Sequence, residues 1–231
     1  MSSPALTEPV AALRYRITFG TARSLAYVSV LELGTVWERT LRRAGLPVRY
    51  SQGFTPRPRM HFAAPLPVGC GTETDLLDVT LDTPMTPGAL LAALEGAPPR
   101  DLRVLAATPV DEATPALSEQ LVAAEYDTWL RDVDSEELRA AIRRVLEADT
   151  LDLPRRGKNG RTYDLRPLII TMDLIPDLPA PWTGVRMVLE ARTGATGRPD
   201  EVLTALGFDA APRRCTRTRL VLETGLSEEE R

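Results

Sequence analysis

The sequence predicts an α+β protein of two tandem ferredoxin-like halves, each with the element order βαββαβ and an antiparallel sheet. Two observations support this prediction. Segments in which apolar and polar residues alternate, as in strands, are interspersed with segments of helical spacing, and this order occurs twice. Between the two occurrences lies VDEATPAL, residues 110–117, which has neither period and contains a proline. We therefore expect a boundary there.

The first predicted half covers residues 13–110. LRYRITF alternates as a strand, and apolar residues from Val30 to Ala44 recur at spacings of three and four, as in a helix that Gly45 ends. We expect a short strand at residues 48–50 and a clear one at DLLDVTL. Thr86 and Pro87 are typical of a helix start, and DLRVLAA completes the half as a strand.

The second predicted half covers residues 117–223. It begins with an extended segment at residues 121–130, followed by a helix that Asp134 opens, with Glu137 at capping-box spacing. DLRPLIITMDL and VRMVLEA predict two strands, residues 199–206 a helix ended by Gly207, and TRTRLVLE the last strand. We expect residues 1–12 to be a flexible N-terminus and residues 224–231 a flexible acidic C-terminus.

Composition limits the class of protein. The chain has 231 residues, of which 43% are hydrophobic, so it can bury a core. No apolar run is long enough to cross a bilayer, and the start MSSPALTEPV lacks the basic and apolar regions of a signal peptide. We therefore expect a cytoplasmic protein without membrane association.

The two cysteines, Cys70 and Cys215, are too few for a disulfide framework or a structural zinc site, and we expect ordinary thiols. GxxxxGK[ST] is missing, and GCGTE at residues 69–73 falls short of a dinucleotide fingerprint. The sequence therefore predicts neither a cofactor nor a metal.

Arginine is concentrated in three stretches that contain no acidic residue. The formal net charge of −4 does not favour nucleic acid, but charge acts locally over about 10 Å. Residues 39–72 contain six arginines, and residues 154–163 and 212–221 hold the other clusters. Because Lys158 is the chain's one lysine, part of this excess reflects a general preference for arginine over lysine.

The stretch SQGFTPRPRMHF, residues 51–62, raises a specific hypothesis. Pro56 and Pro58 restrict the backbone on both sides of Arg57, so its guanidinium loses less entropy when it binds a phosphate or carboxylate. Alternatively, the loop covers a sheet end with solvated arginines. Phe54 and Phe62 are expected to anchor it in the core. The candidate binding residues of the two basic loops are Ser51, Gln52, Arg57, Arg59, Arg155, Arg156, Lys158, Arg161 and Arg166.

Two residues are candidates for catalysis. His61 can act as a general acid or base near neutral pH, although a histidine between Met60 and Phe62 is more often a packing residue. GRTYD, which ends at Asp164, resembles the GRTD loop of tRNA pseudouridine synthases, but Tyr163 breaks the spacing.

The predicted sheet surface argues against RNA stacking on the strands. RNA-recognition modules carry aromatic residues at the outward positions of their strands. In this sequence the outward positions hold Arg14 and Arg16 beside Asp78, which predicts cross-strand ion pairs.

Four landmarks occur in order: RYRITFGT, SQGFTPRPRMHFAAPLPVG, DLLDVTL and GKNGRTYDLRPLI. In this order they resemble the radical-SAM-linked domain family of unknown function, whose members occur alone or fused behind a cobalamin-binding radical SAM module. The resemblance covers nearly all of residues 13–223 and implies an association with radical SAM enzymes and RNA metabolism. The chain lacks CxxxCxxC and DxHxxG, so radical chemistry would have to come from another protein.

Three functions remain open. The first is a non-catalytic module that binds RNA through its arginine-rich loops, in association with a radical SAM enzyme. The second is an adaptor whose arginines meet acidic residues of that enzyme. The third is an RNA-processing or RNA-modifying enzyme that uses His61 or Asp164.

Overall fold

The computed structural model describes residues 13–154 and 162–223. The predicted tails, residues 1–12 and 224–231, lie outside these ranges. Residues 13–110 form a 3₁₀ turn, Arg23–Tyr27, and the elements β1 (Leu13–Thr21), α1 (Val30–Arg43), β2 (Met60–Phe62), β3 (Cys70–Leu81), α2 (Pro87–Leu94) and β4 (Leu102–Val110).

Residues 117–223 contain ten further helices and strands among those described, with a 3₁₀ turn at Arg166–Leu168. These elements are α3 (Leu117–Gln120), β5 (Leu121–Arg131), α4 (Ser135–Glu147), β6 (Asp152–Pro154), β7 (Thr162–Asp164), β8 (Ile169–Ile175), β9 (Trp182–Arg192), β10 (Ala195–Thr196), α5 (Pro199–Leu206) and β11 (Arg213–Leu222).

One nine-stranded sheet runs through both halves, in the order β10-β9-β5-β11-β3-β1-β4, with β2 paired to β3 and β8 paired to β9. Its pairings are antiparallel except that of β11 with β3, where Cys215 lies opposite Cys70 and Arg217 opposite Thr72. The predicted α+β class with antiparallel pairing is therefore confirmed.

The two halves have matching strand orders. β2-β3-β1-β4 in the first corresponds to β8-β9-β5-β11 in the second. This order is compatible with two tandem ferredoxin-like halves. The division into such halves and the domain boundaries stay predictions.

Two apolar clusters hold the helices on the sheet. Trp37 of α1 is fully buried and meets Phe19 of β1 edge to face, with ring centroids 5.1 Å apart. The second cluster packs Leu138 and Ile142 of α4, with Leu203 of α5, over β5 and β9. The first cluster belongs to residues 13–110, whereas the second also includes Ala63, Leu66 and Cys70 from that part of the chain.

Local helix signals act as predicted. Thr86 accepts a hydrogen bond from the Ala89 amide, and the Asp134 carboxylate accepts from the amides of Glu136 and Glu137. Gly207 ends α5 with φ of 90°, in the left-handed region that glycine tolerates best.

Three local predictions were wrong. The second strand of the first half is Met60–Phe62, whereas Val48 and Tyr50 form isolated bridges. Phe54 is fully exposed and anchors nothing in the core. Cys70 and Cys215 are not separate thiols but form a disulfide that spans 145 residues of sequence. β3 and β11 carry these cysteines side by side, a proximity that sequence spacing could not indicate.

Candidate functional site

Residues 50–59, here called the basic loop, are closed by their own backbone. The Ser51 amide donates to the Arg57 carbonyl at 2.8 Å, and the Arg57 amide donates to the Ser51 hydroxyl at 3.0 Å. At the base of the loop, the Arg59 amide donates to the Arg49 carbonyl at 2.7 Å, and the Arg59 carbonyl accepts from the Thr80 amide at 3.0 Å. The backbone beside Arg57 and Arg59 is therefore fixed, as the two prolines predict.

The side chains of the basic loop point largely to solvent. Phe54 is fully exposed and Tyr50 is 38% exposed. Gln52, Arg57 and Arg59 are also exposed, and neither guanidinium has a hydrogen-bond or ion-pair partner among the described residues. The basic loop thus presents two cations without partners and one exposed aromatic ring.

Three of the other four arginines of the same acid-free stretch are held by partners within the chain, whereas Arg39 on α1 is exposed and has no partner among the described residues. Arg42 pairs with Glu38 at 2.8 Å, and Arg49 with Asp82 at 2.7 Å. Arg43 donates to the Ala97 carbonyl at 2.7 Å. Position in the fold therefore separates Arg57 and Arg59 from their neighbours in sequence.

The second predicted basic loop is only partly described. Arg155, Arg156, Lys158 and Arg161 lie outside the described residues, so whether the two loops form one surface stays a prediction. The Arg166 guanidinium donates to the carbonyls of Leu146, at 3.1 and 3.2 Å, and Ile169, at 3.1 Å. Arg166 thus ties the end of α4 to the start of β8.

The two catalytic candidates lie in different settings. His61 is exposed on β2, opposite Asp78 in the strand register. One oxygen of Asp164 accepts from the Leu151 amide at 2.7 Å and from the Arg166 amide at 2.9 Å. The contacts of Asp164 organise the chain around it.

The predicted cross-strand pairing of Arg14 and Arg16 with Asp78 is present, and the second half adds a pair that the sequence did not predict, Arg186 with Asp127. Arg16 pairs with Asp78 at 2.9 Å, and Arg186 with Asp127 at 2.7 Å. Hydrogen bonding to Asp127 raises the pKa of Arg186. Charge on these strands is therefore matched, unlike the charge of the basic loop.

A cleft of about 820 Å³ opens between the halves, and we call it the inter-half cleft. One wall is the segment Ala63–Cys70, and the opposite side is formed by β5, the β9–β10 turn, the start of α5 and the start of β11. Of the described residues that line the cleft, Asp200 is the one with a carboxylate, and four are arginines: Arg192, Arg198, Arg213 and Arg217.

Arg217 and Asp75 form a buried ion pair beside this cleft, with Nη2 and Oδ2 2.5 Å apart and side chains 1% and 2% exposed. Burial raises the pKa of the Asp75 carboxyl, and the positive charge of Arg217 opposes that rise. Arg217 also donates to the carbonyls of Ala64 and Pro65, at 3.3 and 3.1 Å. One guanidinium thus joins the two halves and holds a wall of the cleft.

Sequence reasoning missed the inter-half cleft altogether. Arg217 lies in the third acid-free stretch, but neither its burial nor its pairing with a residue 142 positions away has a local signal. The sequence also predicted that Phe54 anchors the loop in the core, whereas its ring is fully exposed. Among the described residues, no cluster of His, Cys, Asp and Glu has the three members needed to hold a metal ion.

The model of a family of uncharacterized proteins conserved in bacteria, DUF2344, matches residues 14–199. The chain belongs to this family. No curated protein matches this DUF2344 chain. None of the described helices is both long and apolar enough to span a membrane.

Two solved structures show remote similarity to the DUF2344 chain. DypB N246A in complex with manganese is 11% identical, with a TM-score of 0.22 over 87% of this chain and 85% of the other. DyPB from Rhodococcus jostii RHA1 is 13% identical, with a TM-score of 0.21 over 87% of this chain and 84% of the other. Scores this low establish neither a shared fold nor a shared activity.

Proposed function

We propose that this protein is a non-catalytic module that binds RNA through the basic loop. The observation that carries the proposal is the fully exposed ring of Phe54, in the same loop as the partner-free guanidinium groups of Arg57 and Arg59. An exposed aromatic ring beside fixed cations suits unpaired nucleotides, whose bases stack while their phosphates accept hydrogen bonds.

The surrounding structure favours the loop over the strands as the interface. The sheet cations Arg16 and Arg186 are paired with carboxylates, so phosphate binding there would have to break ion pairs. Arg57 and Arg59 carry no such cost among the described residues. Because the loop backbone is already hydrogen-bonded, little conformational entropy is lost when RNA binds.

The proposed biological setting follows from the resemblance to the radical-SAM-linked family. In this proposal the protein presents bound RNA to a separate radical SAM enzyme, which supplies the chemistry.

Filter binding of a single-stranded RNA tests the proposal over about 50 to about 300 mM salt. Wild type is compared with Arg57→Ala/Arg59→Ala and with Arg39→Ala/Arg100→Ala, which removes two exposed arginines elsewhere. We expect the loop variant to bind more weakly and its salt slope to fall by about 1.4, since each lost phosphate contact contributes about 0.7. The control variant should bind as wild type does.

Equal retention of RNA by all three proteins at every salt concentration would sink the proposal. If the loop variant keeps its RNA affinity but loses a radical SAM enzyme that wild type retains after nuclease treatment, the loop belongs to a protein adaptor instead.

A further inference from the structure

We propose that the inter-half cleft binds a small organic anion, a phosphate or carboxylate attached to an apolar body. This site is separate from the basic loop and does not depend on the RNA-binding proposal. Its volume of about 820 Å³ lies within the range of about 300–1,000 Å³ that is common for small-molecule sites.

The cleft has an excess of positive charge. Arg192 is paired with Glu190, and Arg217 with Asp75. Arg213 and Arg198 are exposed and form no ion pair within the described residues, although Arg213 donates to the Asp209 carbonyl at 2.8 Å. Guanidinium groups in this position can each donate two parallel hydrogen bonds to a phosphate or carboxylate.

Two residues that line the cleft each have one buried polar atom without a hydrogen-bond partner. Thr128 and Arg217 are 0% and 1% exposed, and both line the cleft. The Thr128 hydroxyl and the Arg217 Nε are buried without a hydrogen bond. A buried polar group without a partner costs about 1–3 kcal/mol, so each one calls for a specific explanation.

A bound anion supplies that explanation. In the proposed complex an oxygen of the anion accepts a hydrogen bond from the Thr128 hydroxyl, after a change of rotamer brings this hydroxyl toward the cleft. Binding of the ligand then removes the free-energy cost of burying this hydroxyl without a partner.

The entrance of the cleft is apolar. Tyr27 and Val68 line it while remaining 72% and 68% exposed. Ala63 and Leu66 continue the apolar surface toward the interior. Exposed large apolar side chains beside cations fit a ligand that carries an apolar group as well as a charge.

The wall that bears these apolar residues is held in place before any ligand binds. Arg217 donates to the carbonyls of Ala64 and Pro65, and the Gly69 amide donates to the Ala26 carbonyl at 2.6 Å. Gly69 itself has φ of 87°, so the turn at the end of the wall uses a conformation that other residues rarely adopt. A preformed wall lowers the entropic cost of binding.

Isothermal titration calorimetry of the full chain tests the site with phenyl phosphate, benzoate, inorganic phosphate and the uncharged benzyl alcohol. We expect one of the two aromatic anions to bind with a Kd below about 1 mM, and the better of them identifies the acid group. Benzyl alcohol and inorganic phosphate should each bind at least about tenfold more weakly, because each lacks one half of the recognition. Neither aromatic anion binding below about 1 mM, or benzyl alcohol binding equally well, overturns the proposal.

Two variants locate the site. Arg198→Ala/Arg213→Ala should weaken the best aromatic anion at least about tenfold, whereas the control Arg39→Ala/Arg100→Ala should not. Thr128→Val should also weaken it, while the melting temperature of the free protein stays level or rises because an unpaired buried hydroxyl is removed. Wild-type affinity in both cleft variants means that any binding occurs elsewhere, and the assignment fails.

Discussion

Asp75 of β3 and Arg217 of β11 are buried against each other where the two halves of the sheet meet. Each half contributes one charge, so neither half can bury its own member without the other. The ion pair therefore makes the junction of the halves specific, and it should be visible in stability measurements.

We expect Asp75→Asn to lower the free energy of unfolding by about 3–5 kcal/mol, because it leaves the buried Arg217 guanidinium without a counter-charge. Asp82→Asn is the matched control, since Asp82 pairs with Arg49 at the surface and its loss should cost at most about 1 kcal/mol. Urea denaturation measures both. Equal midpoints for the two variants would show that the buried pair contributes little.

The Cys70–Cys215 disulfide should stabilise the folded protein by restricting the unfolded chain. We expect Cys70→Ser/Cys215→Ser to lower the free energy of unfolding by about 2–4 kcal/mol, and reductant to bring wild type to the same value. Mass spectrometry after alkylation in urea without reductant checks the bond directly. Two alkylated cysteines in the purified protein would contradict it.

Phe54 and Phe62 should separate binding from stability. Phe54→Ala should leave the free energy of unfolding within about 0.5 kcal/mol of wild type, because its ring is fully exposed. It should nevertheless weaken RNA binding by about 1–3 kcal/mol through the loss of base stacking. Phe62 packs against Phe19, with ring centroids 6.1 Å apart, so Phe62→Ala should cost about 1 kcal/mol or more of stability. Urea denaturation and filter binding on both variants test this prediction. A loss of stability in Phe54→Ala with unchanged RNA binding would contradict it.

Arg166→Ala should act on stability, because the Arg166 guanidinium donates to two backbone carbonyls. We expect a loss of about 1.5–3 kcal/mol, whereas Arg59→Ala, at an exposed position, should stay within about 0.5 kcal/mol of wild type. Urea denaturation and filter binding distinguish the roles. If Arg166→Ala unfolds as wild type does but binds RNA more weakly, Arg166 contacts RNA and the structural role is wrong.

Asp164 should tolerate an amide better than a methyl group. Asp164→Asn keeps an oxygen that can accept from the amides of Leu151 and Arg166, whereas Asp164→Ala leaves both amides without that acceptor. We expect the alanine variant to lose about 1–3 kcal/mol and the asparagine variant much less, as measured by thermal unfolding. Similar losses in both would mean that the charge of Asp164 matters more than its geometry.

Local sequence signals predicted the helices well because their causes are local. Thr86, Asp134 and Gly207 act on backbone groups a few residues away, and each does so where expected. The second strand was misplaced because a strand is defined by its partner. Val48 contacts Leu81, whereas Met60 pairs with Val79, so both segments lie beside β3 and only the pairing decides between them.

The features of the candidate sites also divide into those with local causes, which the sequence predicted, and those that depend on distant contacts, which it did not. Proline chemistry predicted a fixed loop at Arg57, and the structure shows its backbone hydrogen bonds. The exposure of Phe54 could not be read from its hydrophobicity. The inter-half cleft depends on contacts such as Asp75–Arg217, between residues 142 positions apart, for which the chain carries no short-range pattern.

The position of β11 between β5 and β3 has a consequence for biosynthesis. The ribosome makes β3 and β5 long before residues 213–222, so the edges that β11 covers stay open while the intervening chain is made. Open strand edges pair readily with other chains. A nascent polypeptide that stalls before residue 213 should therefore expose the unpaired edges of both β3 and β5. Such a chain should become a target for chaperones and proteases.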